Sequence, residues 1–325
     1  MKLSFLGDVF LDKPYTVNID LKDFIFNLEY PLSTEGVPAQ NKINLGSDIP
    51  NILETFGKYP KAVNLANNHI MDYGEESFKI TIDFLKKNNI YYFGAGNEKN
   101  NYNNPSIIDI EKKKIALLGY SCSSTHAVFG SKDHNGSALL DIDSIIEDIK
   151  NCKENVDMVV VSVHWGDEEI KYPKYTDIQI AHKIIDAGAD LIVGHHAHVI
   201  QSKEEYKGKY IFYGVGNFIF PDFNVPSYYD GKVFHVQSTK QQQKQNKETI
   251  IVNLDNRLDV TYETAIFSKN IVINKKVNIP NWLPKRQSEY NLRIKYIKRY
   301  ETIKRFINNP KVPTIKQFKI FIGLR

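Results

Sequence analysis

The stretch Asp190-Leu191-Ile192-Val193-Gly194-His195-His196-Ala197-His198 indicates both the type of fold and the place of the chemistry. Leu191 to Val193 is a short apolar run, typical of a buried central strand in an α/β sheet. Three imidazoles follow within five residues, and histidine is the side chain that most often holds a transition metal. Sites in such sheets lie beyond the carboxyl ends of the strands. The stretch therefore predicts a strand that carries metal ligands to a sheet edge.

Composition indicates a globular protein. The chain has 325 residues, of which 42% are hydrophobic and 25% are charged, enough apolar material for a sizeable core. No window approaches the roughly 18 consecutive apolar residues of a membrane span, and Asp8 interrupts the start too early for a signal peptide. Cys122 and Cys152 are isolated, which predicts neither a disulfide framework nor a cysteine metal site. We expect a cytoplasmic location.

Charge is distributed unevenly along the chain. The net charge is +4, yet residues 283–325 hold 12 Lys and Arg against two Glu, so this tail is strongly basic and the remainder mildly acidic. Between Glu289 and Asn308, apolar residues recur at helical spacing among basic ones. This amphipathic helix is interpreted either as packed on the main domain or as peripherally attached to an anionic membrane surface or acidic polymer. No nucleic-acid reading motif accompanies the charge, so no nucleic-acid partner is expected.

Strand and helix patterns alternate along most of the chain and give way to strands near its end. Helices are predicted at residues 49–56 (with Asp48 as N-cap), 74–88, 141–152 and 175–187. Antiparallel strands are predicted at 232–238, 248–255 and 258–266, with Lys240–Lys247 as the tip that joins two of them. This order predicts an α/β fold in which two sheets pack together with helices outside.

Polar residues follow the predicted strands at one consistent position, one or two residues beyond each apolar run. They are Asp8, Glu29, Asn68, His69, His164, His196 and His198. A mixed set of oxygen and nitrogen ligands suits a pair of divalent Mn, Fe or Zn ions, and carboxylates bridge two such ions at about 3.5–4 Å. Taken singly, each residue has a structural alternative: Asp8 and Asn68 suit turns, Glu29 suits an ion pair, and His164 suits a buried core position.

Several motifs together resemble the capsule-synthesis CapA family. They are Gly7-Asp8-Val9, Asn27-Leu28-Glu29-Tyr30-Pro31-Leu32, Leu65-Ala66-Asn67-Asn68-His69, Asp72-Tyr73-Gly74, Gly94-Ala95-Gly96, Val163-His164-Trp165-Gly166, Asp186 to His198, and Tyr213-Gly214-Val215-Gly216-Asn217-Phe218. That family is associated with poly-γ-glutamate synthesis and export and belongs to the calcineurin-like metallophosphoesterase superfamily. The resemblance covers about residues 1–265, so we expect a family domain over 1–268 and a basic extension over 269–325.

The resemblance implies a four-layer αββα sandwich with a two-metal site. By position, Asp8 and His198 would bind the first ion, and Glu29 would bridge the two. The second ion would be bound by Asn68, His164 and His196. His69 would protonate the leaving oxygen, with Asp72 as the nearest candidate to orient its ring.

Three positions and one segment depart from the superfamily pattern. Phe10 stands where a ligand His is usual, so the first metal site is a ligand short unless His126 or another loop residue supplies one. Ile70 stands where an Asp often follows the acid His, and residues 31–60 contain no Arg. His195 replaces a glycine and is interpreted as structural or as supporting a ligand. These departures leave three alternatives open: a weak affinity for metal, a site with a single ion, or a site that binds without turnover.

Two functions remain in view. The first is a metal-dependent hydrolase of capsule or poly-γ-glutamate production, in which metal-bound hydroxide attacks a phosphoester-type or acyl-type substrate and His69 is the general acid. The second is a component of a capsule-synthesis or export complex that binds metal or an anionic polymer without turnover. Phe10 favours the second, and the Asn68-His69 pair favours the first.

Overall fold

The computed structural model describes residues 2–229 and 234–308. The described strands are β1 (Leu3–Val9), β2 (Thr16–Asn18), β3 (Asp23–Leu28), β4 (Ala62–Asn64), β5 (Tyr91–Phe93), β6 (Ala95–Gly96), β7 (Ser106–Ile110), β8 (Lys113–Ser121), β9 (Gly136–Ser137), β10 (Met158–His164), β11 (Leu191–His195), β12 (Lys203–Tyr206), β13 (Lys209–Phe212), β14 (Asn217–Ile219), β15 (Phe223–Tyr229), β16 (Phe234–Lys240), β17 (Glu248–Leu254), β18 (Val260–Ser268) and β19 (Ile271–Asn274). The described helices are α1 (Ile52–Phe56), α2 (Gly74–Lys87), α3 (Ile142–Lys153), α4 (Tyr175–Asp186) and α5 (Gln287–Asn308).

Two large mixed sheets organise these elements. The first has the strand order β2-β19-β18-β17-β1-β3-β4-β5, and β14 also pairs with β1. The second has the order β12-β13-β11-β10-β8-β7. In the middle of each sheet the strands run parallel, β1 with β3 and β4 beyond it, and β10 with β8 and β11. Their carboxyl ends therefore meet at one edge of each sheet.

Strand side chains alternate between two apolar layers. On β10, Met158 and Val160 face the first sheet, whereas Val159 and Val161 belong to the cluster beneath α3 and α4. Side chains of the first sheet also alternate between two layers. Its inner residues pack against the second sheet, and its outer residues pack under α1 and α2. The resulting order is helix, sheet, sheet, helix. The predicted four-layer αββα sandwich is confirmed.

A bulge near the end of β1 positions the first site residue. Phe5 pairs with Ile25 but Asp8 pairs with Asn27, so β1 carries one residue more than β3 over this interval. Bulges of this kind redirect the side chain that follows. Gly7 lies in the extra segment, and a Cβ there would meet the Gly216 carbonyl oxygen at 1.9 Å. Glycine at this position therefore allows β14 to approach the site edge.

Helix α5 packs on the domain through its first half. Tyr290 and Ile294 are buried against Ile170, and the Tyr290 hydroxyl donates to Asp167 Oδ2 at 2.6 Å. Farther along the helix, the side chains of Tyr300 and Ile307 are 65% and 69% exposed. The first half of this helix therefore packs on the main domain, as one of the two interpretations predicts. Attachment of the second half to an anionic membrane stays a prediction. In the part of the chain that the structure describes, no helix is long and apolar enough to cross a membrane.

Two local predictions are wrong. Asn51, not Asp48, precedes α1, and the Asp48 carboxylate instead accepts hydrogen bonds from the backbone and hydroxyl of Thr34. The segment Lys240–Lys247 does not join paired strands, because β16 pairs with β15 while β17 lies in the first sheet. Of the strand predicted at 232–238, residues 232–233 lie outside the described residues, as do residues 309–325 of the tail.

The domain boundary at 268 stays a prediction. Just beyond it, β19 pairs with β18 and β2 in the first sheet.

Candidate metal centre

The seven polar residues predicted to follow strands lie at the ends of strands from both sheets. Asp8 and Glu29 come from the ends of β1 and β3, while Asn68 and His69 lie in the loop after β4. His164 ends β10, and His196 and His198 follow β11. All seven side chains lie in buried residues. Ligand atoms of Asp8, Glu29 and His164 lie within 4.8 Å of one another, close enough to hold one metal ion.

His164 is the point on which one group of ligands converges. Its Nε2 lies 2.8 Å from Asn68 Oδ1, 3.1 Å from His196 Nδ1 and 3.4 Å from Glu29 Oε1. A ring nitrogen carries at most one hydrogen, so it cannot donate to all three neighbours. An amide oxygen, a carboxylate and two imidazoles aimed at one point form a typical site for a borderline divalent cation.

Asp8 organises a second group beside the first. Its Oδ1 lies 3.0 Å from His195 Nδ1, and its Oδ2 lies 3.3 Å from His198 Nδ1. His198 Nδ1 also lies 2.8 Å from Asn217 Oδ1. The Asn217 amide in turn donates to the Asn246 carbonyl, and Asn246 donates to the His198 carbonyl at 3.2 Å. His195, the residue in the glycine position, thus contacts a predicted ligand directly.

Asn27 holds the two carboxylates together. Its Nδ2 donates to Asp8 Oδ1 at 2.8 Å and also to Glu29 Oε2. Its Oδ1 accepts from the amides of Asn64 at 3.1 Å and Asn67 at 3.2 Å. A side-chain amide has both donors and acceptors, so it can bind carboxylates on one side and amides on the other. Asn27 therefore orients Asp8 and Glu29, and the amides of Asn64 and Asn67 hold Asn27 in place.

The two carboxylates have opposite electrostatic environments. Burial alone would raise the pKa of Asp8, but the close contacts and positive charge of His195 and His198 hold that pKa well below its ordinary value. Burial, followed by the neighbouring charge of Asp8, raises the pKa of Glu29 well above its ordinary value. Asp8 is thus the charged carboxylate of the pair, and Glu29 is the one whose ionisation depends on a nearby cation.

The imidazoles also differ in the direction in which their pKa values are shifted. Burial lowers the pKa of His196 to about 4 and, together with repulsion from His196, lowers the pKa of His164 well below its ordinary value. Burial alone would also lower the pKa of His198, but the Asp8 carboxylate raises it to about 9. At neutral pH, His164 and His196 are therefore neutral, which is the form of imidazole that binds a metal.

His69 lies beside this cluster with an acidic partner. Its Nδ1 lies 2.6 Å from Asp72 Oδ2, which also accepts the Leu45 backbone N–H at 2.7 Å. Burial lowers the pKa of His69, and the Asp72 charge opposes that change. Lys42 Nζ lies 2.5 Å from Asp72 Oδ1 and donates to the Asn68 carbonyl.

The departures from the superfamily pattern have structural counterparts. Phe10 is buried in an aromatic cluster with Tyr30, Phe220 and Phe223, at ring-centroid distances of 5.1–5.6 Å, and offers no ligand atom. His126 is exposed on its loop.

Sequence reasoning missed Lys42 and Asn246, and it named Asn27 and Asn217 within motifs without giving either a role. The available signal for Asn27 was its place near the end of a predicted strand, two residues before Glu29. Lys42 lies in a turn-rich segment without periodicity, which gave no signal.

Comparison with known families gives the chain its identity. A family model described as "Bacterial capsule synthesis protein PGA_cap" matches residues 13–222, more than half of the chain. The chain belongs to this family. The family prediction made from the motifs is therefore confirmed.

Named relatives agree with the family. "Capsule biosynthesis protein CapA" of Bacillus anthracis is 34% identical over 215 residues, which cover 64% of this chain and 52% of that protein. "PGA biosynthesis protein CapA" of Bacillus subtilis (strain 168) is 38% identical over 167 residues, which cover 49% of this chain and 42% of that protein. The chain thus spans about half the length of the curated relatives it matches.

Among solved structures, a putative 5'-nucleotidase from Staphylococcus aureus is 12% identical, with a TM-score of 0.46. The match covers 91% of this chain and 58% of that chain.

Proposed function

We propose that this protein is a metal-dependent hydrolase that acts on a phosphoester-type substrate in the production of bacterial capsule or poly-γ-glutamate. The observation that carries the proposal is the convergence of Asn68 Oδ1, Glu29 Oε1 and His196 Nδ1 on His164 Nε2. The relatives' names supply the process, and the buried oxygen and nitrogen donors supply the reaction class.

The donors fit a metal. Asp8 Oδ2 and Glu29 Oε1 are buried oxygens that form no hydrogen bond in the described part of the chain, and an imidazole nitrogen lies 3.3 Å from the first and 3.4 Å from the second. A buried polar atom without a partner costs free energy that a bound cation would offset. Asp8 and the neutral form of His198 would hold one ion, Asn68, His164 and His196 would hold a second, and Glu29 would serve both. Mn, Fe or Zn suits this set, and such ions supply Lewis-acid activation of a substrate oxygen and of water.

His69, oriented by Asp72, would donate the proton that the leaving oxygen needs. With Nδ1–H donated to the Asp72 carboxylate, the ring is fixed in one orientation and Nε2 is the nitrogen that exchanges a proton with substrate. Lys42 pairs with Asp72 and would hold that carboxylate in place beside the ring. His69 would thus protonate the leaving oxygen.

A second candidate is a binding component that holds metal or an anionic polymer without turnover. The observation that favours it is Phe10, which is 5% exposed within its aromatic cluster and supplies no ligand to the Asp8 side of the site. An incomplete first site would leave one ion bound and the reaction without its second ion.

Metal analysis combined with hydrolysis of p-nitrophenyl phosphate tests the proposal. The protein loaded with Mn or Zn should hydrolyse the ester, and His196→Ala should lose both metal and activity. His69→Ala should keep its metal and lose at least about 100-fold in rate, as expected for a general acid. His182→Ala is the matched control, because His182 pairs with Glu204 away from the site.

The outcomes separate the two candidates. Bound metal with no His69-dependent turnover would favour the binding component. No bound metal after Mn or Zn is supplied would contradict both.

A further inference from the structure

A cleft on the face that α5 covers is strongly basic. It has a volume of about 880 Å³ and lies between the chain after β19, the end of β18, the turn before β17 and the start of α5. Among its lining residues, Glu248 is acidic, and six are basic. The six are Lys171, Lys244, Lys247, Lys275, Lys276 and Arg293.

Most of these cations have no acidic partner. Lys247 Nζ lies 3.9 Å from Asp222 Oδ1, at the outer limit of an ion pair. For the other five, no ion pair is present within the residues that the structure describes. Like charges held together without counter-charges raise the local concentration of anions. The cleft is thus built to attract an anion larger than a single carboxylate.

One of the cations is held rigidly. The Arg293 guanidinium lies 4.8 Å from the Tyr172 ring centroid and 5.0 Å from that of Trp282, and its Nη2 donates to the Tyr172 hydroxyl at 2.9 Å. The Trp282 carbonyl accepts from Ser202 Oγ at 2.7 Å, which ties this wall to the second sheet. A guanidinium fixed between two rings keeps its other N–H groups available for a carboxylate.

The cleft shares an element with the metal centre. Lys244 and Lys247 bound the 3₁₀ turn that lines the cleft, and Asn246 within this turn donates to the carbonyl of the predicted ligand His198. Asn246 also accepts from Asn217, which contacts the His198 ring. Only this 3₁₀ turn would therefore separate a ligand bound in the cleft from the predicted metal ligand His198.

We propose that this cleft binds a linear polycarboxylate chain beside the metal centre. The choice of carboxylate as the anion rests on the proposed role in polymer production, whereas the binding of a linear polyanion rests on the cleft alone. Five lysines that line one cleft suit repeated negative charges, and the fixed Arg293 suits a planar carboxylate.

Equilibrium binding of a fluorescein-labelled poly-glutamate of about 20 residues, followed by anisotropy, tests the proposal. The full chain should bind it, and binding should weaken as salt rises from 50 to 300 mM, because the contacts are between charges. The double variant Lys275→Glu/Lys276→Glu should bind at least tenfold more weakly.

The matched control is Lys86→Glu/Lys87→Glu, an exposed adjacent lysine pair at the end of α2, which should stay within twofold of the unchanged protein. Equal loss in both double variants would overturn the cleft as the site. Tighter binding of a single-stranded DNA of equal charge would overturn the polycarboxylate. Because His196→Ala should retain binding, failure of the hydrolase proposal and failure of this one are distinguishable.

Discussion

The two sheets bring different chemistry to the edge they share. The first sheet and its loops supply oxygens, from Asp8, Glu29 and Asn68, and the second supplies imidazoles, from His164 and His196. Among the proposed metal ligands, neither sheet alone supplies the mixed oxygen and nitrogen set that suits a borderline divalent ion. The predicted ligands therefore come together because the apolar inner faces of the sheets pack against each other.

The sheets also hold their donors by different means. In the first, the side-chain amide of Asn27 holds both carboxylates. In the second, backbone conformation sets the histidines, because His196 and His198 have φ angles of 82° and 54° at the end of β11. Side-chain changes should therefore disturb the first sheet's donors most, while changes to strand anchoring should disturb the second sheet.

The largest expected effect comes from Asn27→Ala, which removes the amide that holds both carboxylates. Loss of an orienting partner typically weakens metal affinity about 10–100-fold, and we expect a weakening in that range for Mn or Zn, measured by competition with a chelator. Asn253→Ala is the control, because Asn253 lies in the same sheet and bonds Ser4 instead. Unchanged affinity in Asn27→Ala would contradict the organising role.

Asp190→Ala tests how the second sheet is anchored. Asp190 Oδ2 accepts the Val159 N–H of β10 at 2.9 Å, and its Oδ1 lies 2.8 Å from Lys209 Nζ. Losing these bonds to a charged, largely buried group should lower the free energy of unfolding by about 1.5–3 kcal/mol in urea. Asp186→Ala removes an exposed pair with Lys207 and should cost roughly 0.5 kcal/mol or less. Equal losses would contradict an anchoring role.

Asp177→Asn should change the pH dependence of stability in the layer outside the second sheet. Burial raises the pKa of Asp177 in α4 to about 7. Between about pH 4 and pH 7 the folded state therefore holds a proton that the unfolded state has lost, so stability falls as pH rises through this window.

Asp177→Asn has no side-chain proton to lose, so its stability should not fall over this pH range. Its amide oxygen can still accept the Lys174 backbone N–H. It should gain roughly 2 kcal/mol relative to the unchanged protein between pH 5 and pH 8, measured by urea unfolding. Asp143→Asn, an exposed change in the first turn of α3, should leave the slope unchanged. The same slope in Asp177→Asn and the unchanged protein would contradict the assignment.

Sequence predicted the strands and their terminal residues because these depend on local pattern. A short apolar run such as Leu191–Val193 indicates a buried strand from local sequence alone. The residue that follows such a strand lies at the edge of the sheet. The motif Gly194-His195-His196-Ala197-His198 therefore indicated the place of the site without knowledge of the contacts.

The missing parts depend on contacts between distant segments. Lys42 reaches Asp72 from an aperiodic segment, and Asn217 reaches His198 because β14 pairs with β1. That pairing needs a glycine at position 7, a requirement that appears only when the Gly216 carbonyl is in place. Asp48 is a favourable cap residue by type, but α1 begins four residues later at Ile52, and the Asp48 carboxylate accepts hydrogen bonds from Thr34 instead.

The left-handed backbone at His196 and His198 affects how an ion would be selected. Non-glycine residues in this region cost on the order of 1–3 kcal/mol each, and the surrounding fold supplies that energy during folding. An ion arriving at the site would therefore meet ligands that need no backbone rearrangement. A rigid ligand frame discriminates between cations by radius and preferred coordination more than an adaptable loop does, so selectivity would be set by the fold before binding.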